Sequence, residues 1–122
     1  MIPDFSKSEL WVIRTTLKER YGKVMDLQEI ESEIRLNPHD RDTTVVPGVY
    51  WEFDECHFVI VKAGENRYRS QFFYEPWRQY APTVPEFDDM ANCVVSTLQA
   101  QSDIDAKRSG NIPEGARRPR SL

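Results

Sequence analysis

Apolar side chains recur at helical spacing in Leu10, Ile13, Leu17 and Tyr21, and start and stop signals frame that stripe. Ser6-Lys7-Ser8-Glu9 has the form of a capping box, in which hydroxyl and carboxylate each satisfy a free backbone N–H. Phe5 and Leu10 stand at the positions of a hydrophobic staple, and Gly22 follows as a natural helix-ending residue. The pattern predicts a helix over 7–21.

Residues 26–36 carry two patterns at once. As a helix they offer an Asp26 cap, a Leu27/Ile30/Ile34 stripe and a stop at Asn37-Pro38. As a strand they alternate Ile30, Ser32 and Ile34 against Glu31, Glu33 and Arg35, with charges that suit an exposed edge. The helical stripe is thin and Leu36 falls off it, so the strand is the preferred reading.

From Val49 to Tyr74 the pattern changes to β-branched and aromatic runs broken by short turns at Asp54-Glu55 and Gly64-Glu65-Asn66. This predicts a three-stranded antiparallel meander. The middle run, His57 to Val61, is apolar on both faces, as a central strand tolerates. A two-residue turn at Asp54-Glu55 sets Phe53 opposite Cys56, Trp51 opposite Phe58 and Val49 opposite Ile60. A three-residue loop at 64–66, with Asn66 left-handed, sets Lys62 opposite Tyr68, Ile60 opposite Ser70, Phe58 opposite Phe72 and Cys56 opposite Tyr74. The two registers agree on one strongly apolar face, which is the expected core. The other face gathers Tyr50, Glu52, His57, Val59, Val61, Arg67, Arg69, Gln71 and Phe73.

The prolines of Glu75 to Pro82 lack a ladder donor, so 75–82 reads as loop. Thr83-Val84-Pro85-Glu86 is a second capping box, predicted to launch a helix along Phe87, Met90, Ala91, Val94 and Leu98 that fades near Ser102. The expected architecture is α+β: a three- to four-stranded meander with N-terminal and C-terminal helices packed on one face. A single domain over 1–104 and a disordered basic tail over 105–122 complete it.

Charge and cysteine content change this picture only a little. The net charge of −4 is unevenly placed: after residue 104, Lys107, Arg108, Arg117, Arg118 and Arg120 face only Asp105 and Glu114, leaving +3 there and −7 before it. An acidic body makes nucleic acid an unlikely partner, since that affinity comes from phosphate neutralisation. No apolar run approaches the ~18 residues of a membrane span. The N-terminus lacks the layout of a secretory signal, and Cys56 and Cys93 read as reduced, buried thiols, so a cytoplasmic location is expected.

Candidate chemistry is sparse. Glu52 and His57 fall side by side on the outer face, where a carboxylate could orient an imidazole for acid–base work, but no nucleophile shares that face. Cys56 and His57 diverge from an extended strand and cannot chelate one ion, and His39-Asp40-Arg41-Asp42 has neither zinc nor calcium spacing, so no metal and no cofactor is expected. Asn37-Pro38-His39-Asp40 reads instead as turn chemistry.

Arg67, Arg69 and Arg78 interleave with aromatic residues up to Tyr80, a pattern that could hold single-stranded nucleic acid through Arg67, Arg69, Phe73 and Trp77. Alternation sends most of those rings into the core. The leading expectation is therefore a non-enzymatic accessory or interaction domain that binds a protein or small anionic partner. The expected surface is the outer sheet face and the 75–82 loop, through Tyr50, Arg67, Arg69, Gln71, Phe73, Trp77 and Tyr80. A homodimer paired through the 30–36 edge would also fit.

Overall fold

The computed structural model describes residues 2–108. Helix α1 (Lys7–Tyr21) leads into five strands, β1 (Gln28–Ile34), β2 (Thr44–Phe53), β3 (Cys56–Gly64), β4 (Arg67–Glu75) and β5 (Arg78–Tyr80), and helix α2 (Met90–Arg108) closes the chain's described part. The strands form one antiparallel sheet in sequence order. Helix α1 has the bounds the sequence predicts: Ser6 Oγ accepts from the Glu9 N–H, Glu9 answers to the Ser6 N–H, and Gly22 ends it left-handed at φ 76°.

The ambiguous segment is a strand at the sheet edge, paired among the described residues only with β2. Its Glu29, Glu31 and Glu33 are exposed, which discourages further pairing. The Asp54-Glu55 hairpin is a two-residue turn with both residues at positive φ, as the twist of a tight hairpin demands. At the next hairpin Asn66 is left-handed, as expected, but Gly64 pairs with Arg67, so the turn is Glu65-Asn66 and a bulge near Ala63 absorbs the extra residue.

One core joins Ile13 and Leu17 of α1, Met90, Cys93, Val94 and Leu98 of α2, and the inner sheet residues Val49, Trp51, Cys56, Phe58, Ile60, Tyr68 and Phe72. Across it runs a row of rings, one from each of β2 to β5. Trp51 stacks on Phe58 at 5.0 Å, Phe58 meets Phe72 at 6.1 Å, and Phe72 stacks on Tyr80 at 5.5 Å. Each such pair adds about 0.5–1.5 kcal/mol beyond area burial.

That row explains the first correction. Residues 75–82 are not all loop: Pro76-Trp77 makes a turn and Arg78–Tyr80 is a fifth strand. Both prolines flank the strand, so neither has to donate in its ladder.

The second correction concerns α2, which begins at Met90 rather than at the Thr83–Glu86 box. Asp89 caps it, accepting from the Asn92 N–H at 2.9 Å. Phe87, just before it, is held against β4, because Phe87 and Tyr68 exchange two backbone hydrogen bonds of 2.8 Å each. Glu86 meanwhile is taken by two arginines of β4.

The helix also passes the expected fade at Ser102 and the expected boundary at 104, running to Arg108. Ala100 and Ile104 still pack on the core there, and Arg108 pairs with Glu75 while covering the Tyr74 ring at 3.9 Å. The remainder of the expected tail lies outside the described residues. None of the described helices is long and apolar enough to cross a membrane.

Candidate functional site

The outer face of the sheet is concave. Arg69, on β4, donates through Nη1 to the Arg35 carbonyl and through Nη2 to the Leu36 carbonyl, both at 2.7 Å. Those carbonyls lie just beyond β1, three strands away, a separation of about 14 Å in a flat sheet. An arginine cannot reach that far, so the β1 end rolls over the outer face.

Gly48 marks the fold of that roll. A Cβ there would lie 3.1 Å from Ile30 Cγ1 and 3.4 Å from Val61 Cγ1, so side chains from both neighbouring strands lean over a residue that has none. Val46 and Val61, outer-face residues by register, are buried in consequence.

The concavity holds a groove of about 560 Å³. Val59, Val61 and Gln71 form its floor, Ser32 and Ile34 one wall, and Ala81, Pro82, Thr83 and Pro85 the other. Gln79 also faces it, beside Phe73 in the β4–β5 pairing. The lining mixes apolar side chains with amides and hydroxyls, and the charged Glu33 and Arg69 border it, a composition suited to ligand recognition.

The expected site residues separate into distinct groups. Gln71 lines the groove. Arg69 reaches it too, but all three of its nitrogens are engaged, with Nε on Glu86 at 3.0 Å. Arg67 grips the same carboxylate through Nε and Nη2, at 2.9 and 3.2 Å. Arg67, with Arg69 beside it, holds the Glu86 carboxyl below the usual carboxylate range against the opposing effect of burial. The two guanidinium groups thus meet a carboxylate of this chain before any anion arrives.

Tyr50, His57 and Phe73 form a separate cluster on the same face. The Tyr50 hydroxyl lies 2.6 Å from His57 Nδ1, and the imidazole stacks on Phe73 at 5.0 Å. Glu52 stands 3.8 Å from the same nitrogen, an ion-pair distance beyond hydrogen-bond reach. Tyr50, not Glu52, therefore orients the ring, and His57 does not line the groove.

Trp77 occupies the tip of the β4–β5 turn, 81% exposed. Tyr80, expected in a binding loop, lies in β5 on the helix side of the sheet, stacked on Phe72, where it packs against the core.

Elsewhere the polar chemistry is quiet. Asp40 caps Asn37 through backbone and side chain, as the turn reading of 37–40 expects. Burial pushes both thiols, Cys56 and Cys93, up to about 12, so neither is a ready nucleophile. Among the described residues, no three His, Cys, Asp or Glu side chains gather as a metal ion would require.

Sequence reasoning passed over Ser32, Ile34, Thr83 and Pro85, while Gln79, Ala81 and Pro82 fell within the expected 75–82 loop without being singled out. Their assembly depends on the roll of β1 and on β5, and neither leaves a local signal. In comparisons with known proteins, no family model, no curated protein and no solved structure matches this chain.

Proposed function

We propose that this chain is a non-enzymatic interaction domain of the cytoplasm whose outer-face groove receives a segment of a protein partner. The groove carries the reading: it is concave, part apolar and part amide-lined, and built from four strands and the 81–85 connection. Trp77, 81% exposed at the β4–β5 turn, offers a second aromatic anchor of the kind that dominates protein interfaces. The engagement of Arg67 and Arg69 with Glu86, together with Glu33 in the groove lining, weighs against a small anion or a nucleic-acid backbone as the ligand.

A photo-crosslinking residue at position 71, introduced in the producing cell, tests this directly. A discrete protein adduct from position 71, absent when the crosslinker replaces exposed Glu19 on α1, is the expected result. Equal labelling from both positions, or none from position 71, defeats the reading.

A further inference from the structure

Ser70 lines the groove although its side chain points the other way. Its hydroxyl lies 2.6 Å from Thr97 Oγ1 on α2, so the backbone of Ser70 is what meets the groove. The ladder explains why. In an antiparallel pair, residues alternate between bonding one neighbour strand and the other. Tyr68 bonds Phe87 through both its N–H and its carbonyl, on the side away from β3. By alternation along a regular stretch of β4, Ser70 and Phe72 also direct their peptide groups to that side.

Phe72 is met there by Tyr80. Continued one rung, that register would set Pro82 opposite Ser70, and proline has no N–H to give. The chain instead swings out through 81–86 and returns at Phe87, three residues later than an unbroken strand would. No backbone hydrogen bond joins Ser70 to 81–86. Among the described residues one rung of the sheet is therefore open, with its N–H donor and carbonyl acceptor side by side at the groove.

The flanking rungs decide what can fill it. Tyr80 and Phe87 already hold the line that an added strand would follow, so a polypeptide backbone cannot run alongside β4 here. A short planar head carrying one donor beside one acceptor can enter from the outer face. A primary carboxamide meets that description, and Gln71 and Gln79, whose amides take no partner among the described residues, stand next to the rung. We infer that the open Ser70 rung is a carboxamide-recognition point, taking the side chain of an asparagine or glutamine from the protein partner. The partner's amide N–H donates to the Ser70 carbonyl, and its carbonyl accepts from the Ser70 N–H. This rests on the groove being the binding surface.

Amide-resolved NMR on the full chain tests it. In the free protein the Ser70 amide is expected to exchange at least tenfold faster than those of Tyr68 and Phe72; equal protection overturns the proposal. Isobutyramide should shift the Ser70 N–H downfield in a saturable way. N,N-dimethylisobutyramide, which lacks the donor, should bind about tenfold more weakly, the worth of one hydrogen bond.

A short alanine-rich peptide with one central asparagine should outcompete isobutyramide and its own leucine counterpart. If it binds no better than the leucine peptide, the polypeptide source is refuted. A crosslink from position 71 with Ser70 unperturbed would leave the interaction surface standing and remove the carboxamide assignment.

Discussion

Lys62 Nζ donates to Glu9 Oε1 at 2.9 Å while the Tyr68 hydroxyl donates to Glu9 Oε2, so one carboxylate joins helix α1 to two strands. The lysine is only 3% exposed and also donates to the Asp4 carbonyl at 3.1 Å. Glu9 serves the helix cap at the same time. Removing one partner of a buried pair leaves the other charge uncompensated, a loss of about 3–5 kcal/mol when burial is complete. Glu9 keeps some exposure, so Lys62→Met is expected to cost about 2–4 kcal/mol in urea unfolding. The Lys62→Met/Glu9→Gln double variant should lose less than the two single losses combined, by about 1–3 kcal/mol.

The same cluster sets the pH dependence. Burial by itself would raise the Glu9 carboxyl, but hydrogen bonds from Tyr68, the Ser6 N–H and Lys62 outweigh it and hold the group below its ordinary value. A carboxyl depressed in the folded state stabilises the fold above its unfolded value, and that stability drains as pH falls through the folded one. Glu86, depressed chiefly by Arg67, acts in the same direction. Tyr68 is raised, first by burial and then by its bond to Glu9, so its contribution is present at neutral pH and is lost as pH climbs past the ordinary phenol range. Stability should therefore fall off on both sides of neutrality. Urea midpoints measured from pH 3 to 7 should show a shallower acid slope for Glu9→Gln than for the parent; an unchanged slope would exclude Glu9 as a source.

The hairpin at Asp54-Glu55 carries a smaller, opposite lesson. Both residues sit at positive φ, 54° and 69°, where a side chain costs about 1–2 kcal/mol per residue relative to the right-handed region. Asp-Gly is a preferred pair for this turn. Glycine adds back some unfolded-chain entropy, so Glu55→Gly should stabilise by about 0.5–1 kcal/mol net. A higher melting temperature with an unchanged circular dichroism spectrum would show it.

Much of the fold was legible because its signals are local. The Ser6/Glu9 box, the Gly22 stop and the alternation from Val49 to Phe73 each act within a few residues, and the meander pairs as that alternation requires. What escaped was decided by distant contacts. Thr83-Val84-Pro85-Glu86 resembles a helix start in isolation, but Arg67 and Arg69 compete for Glu86, and Tyr68 holds Phe87 extended. Three residues of β5 are too few to show a period; the Phe72–Tyr80 stack recruits them. Register set Lys62 opposite Tyr68, but its burial was not legible, because Glu9 arrives from far along the chain. The groove fared likewise. Gln71 was visible by register, while the roll that makes its surface concave depends on Arg69 finding two carbonyls beyond β1.

Arg69 thus changes from an expected ligand-binding cation into the clamp that shapes the groove, and a charge-preserving substitution separates the two roles. A lysine at position 69 keeps the positive charge and can still approach Glu86. It lacks the planar fork that meets the Arg35 and Leu36 carbonyls together. If Arg69 served mainly as a cation, Arg69→Lys would be nearly silent. As a clamp, its loss should free the β1 end and cost about 1–3 kcal/mol, discounted for its partial exposure. Hydrogen exchange discriminates further: amides over 34–46 should exchange roughly tenfold faster or more, the counterpart of about 1.4 kcal/mol of local opening. Amides in the centre of α1 should move only with global stability. A lysine variant with parental protection across 34–46 would show that the roll of β1 is held by something other than Arg69.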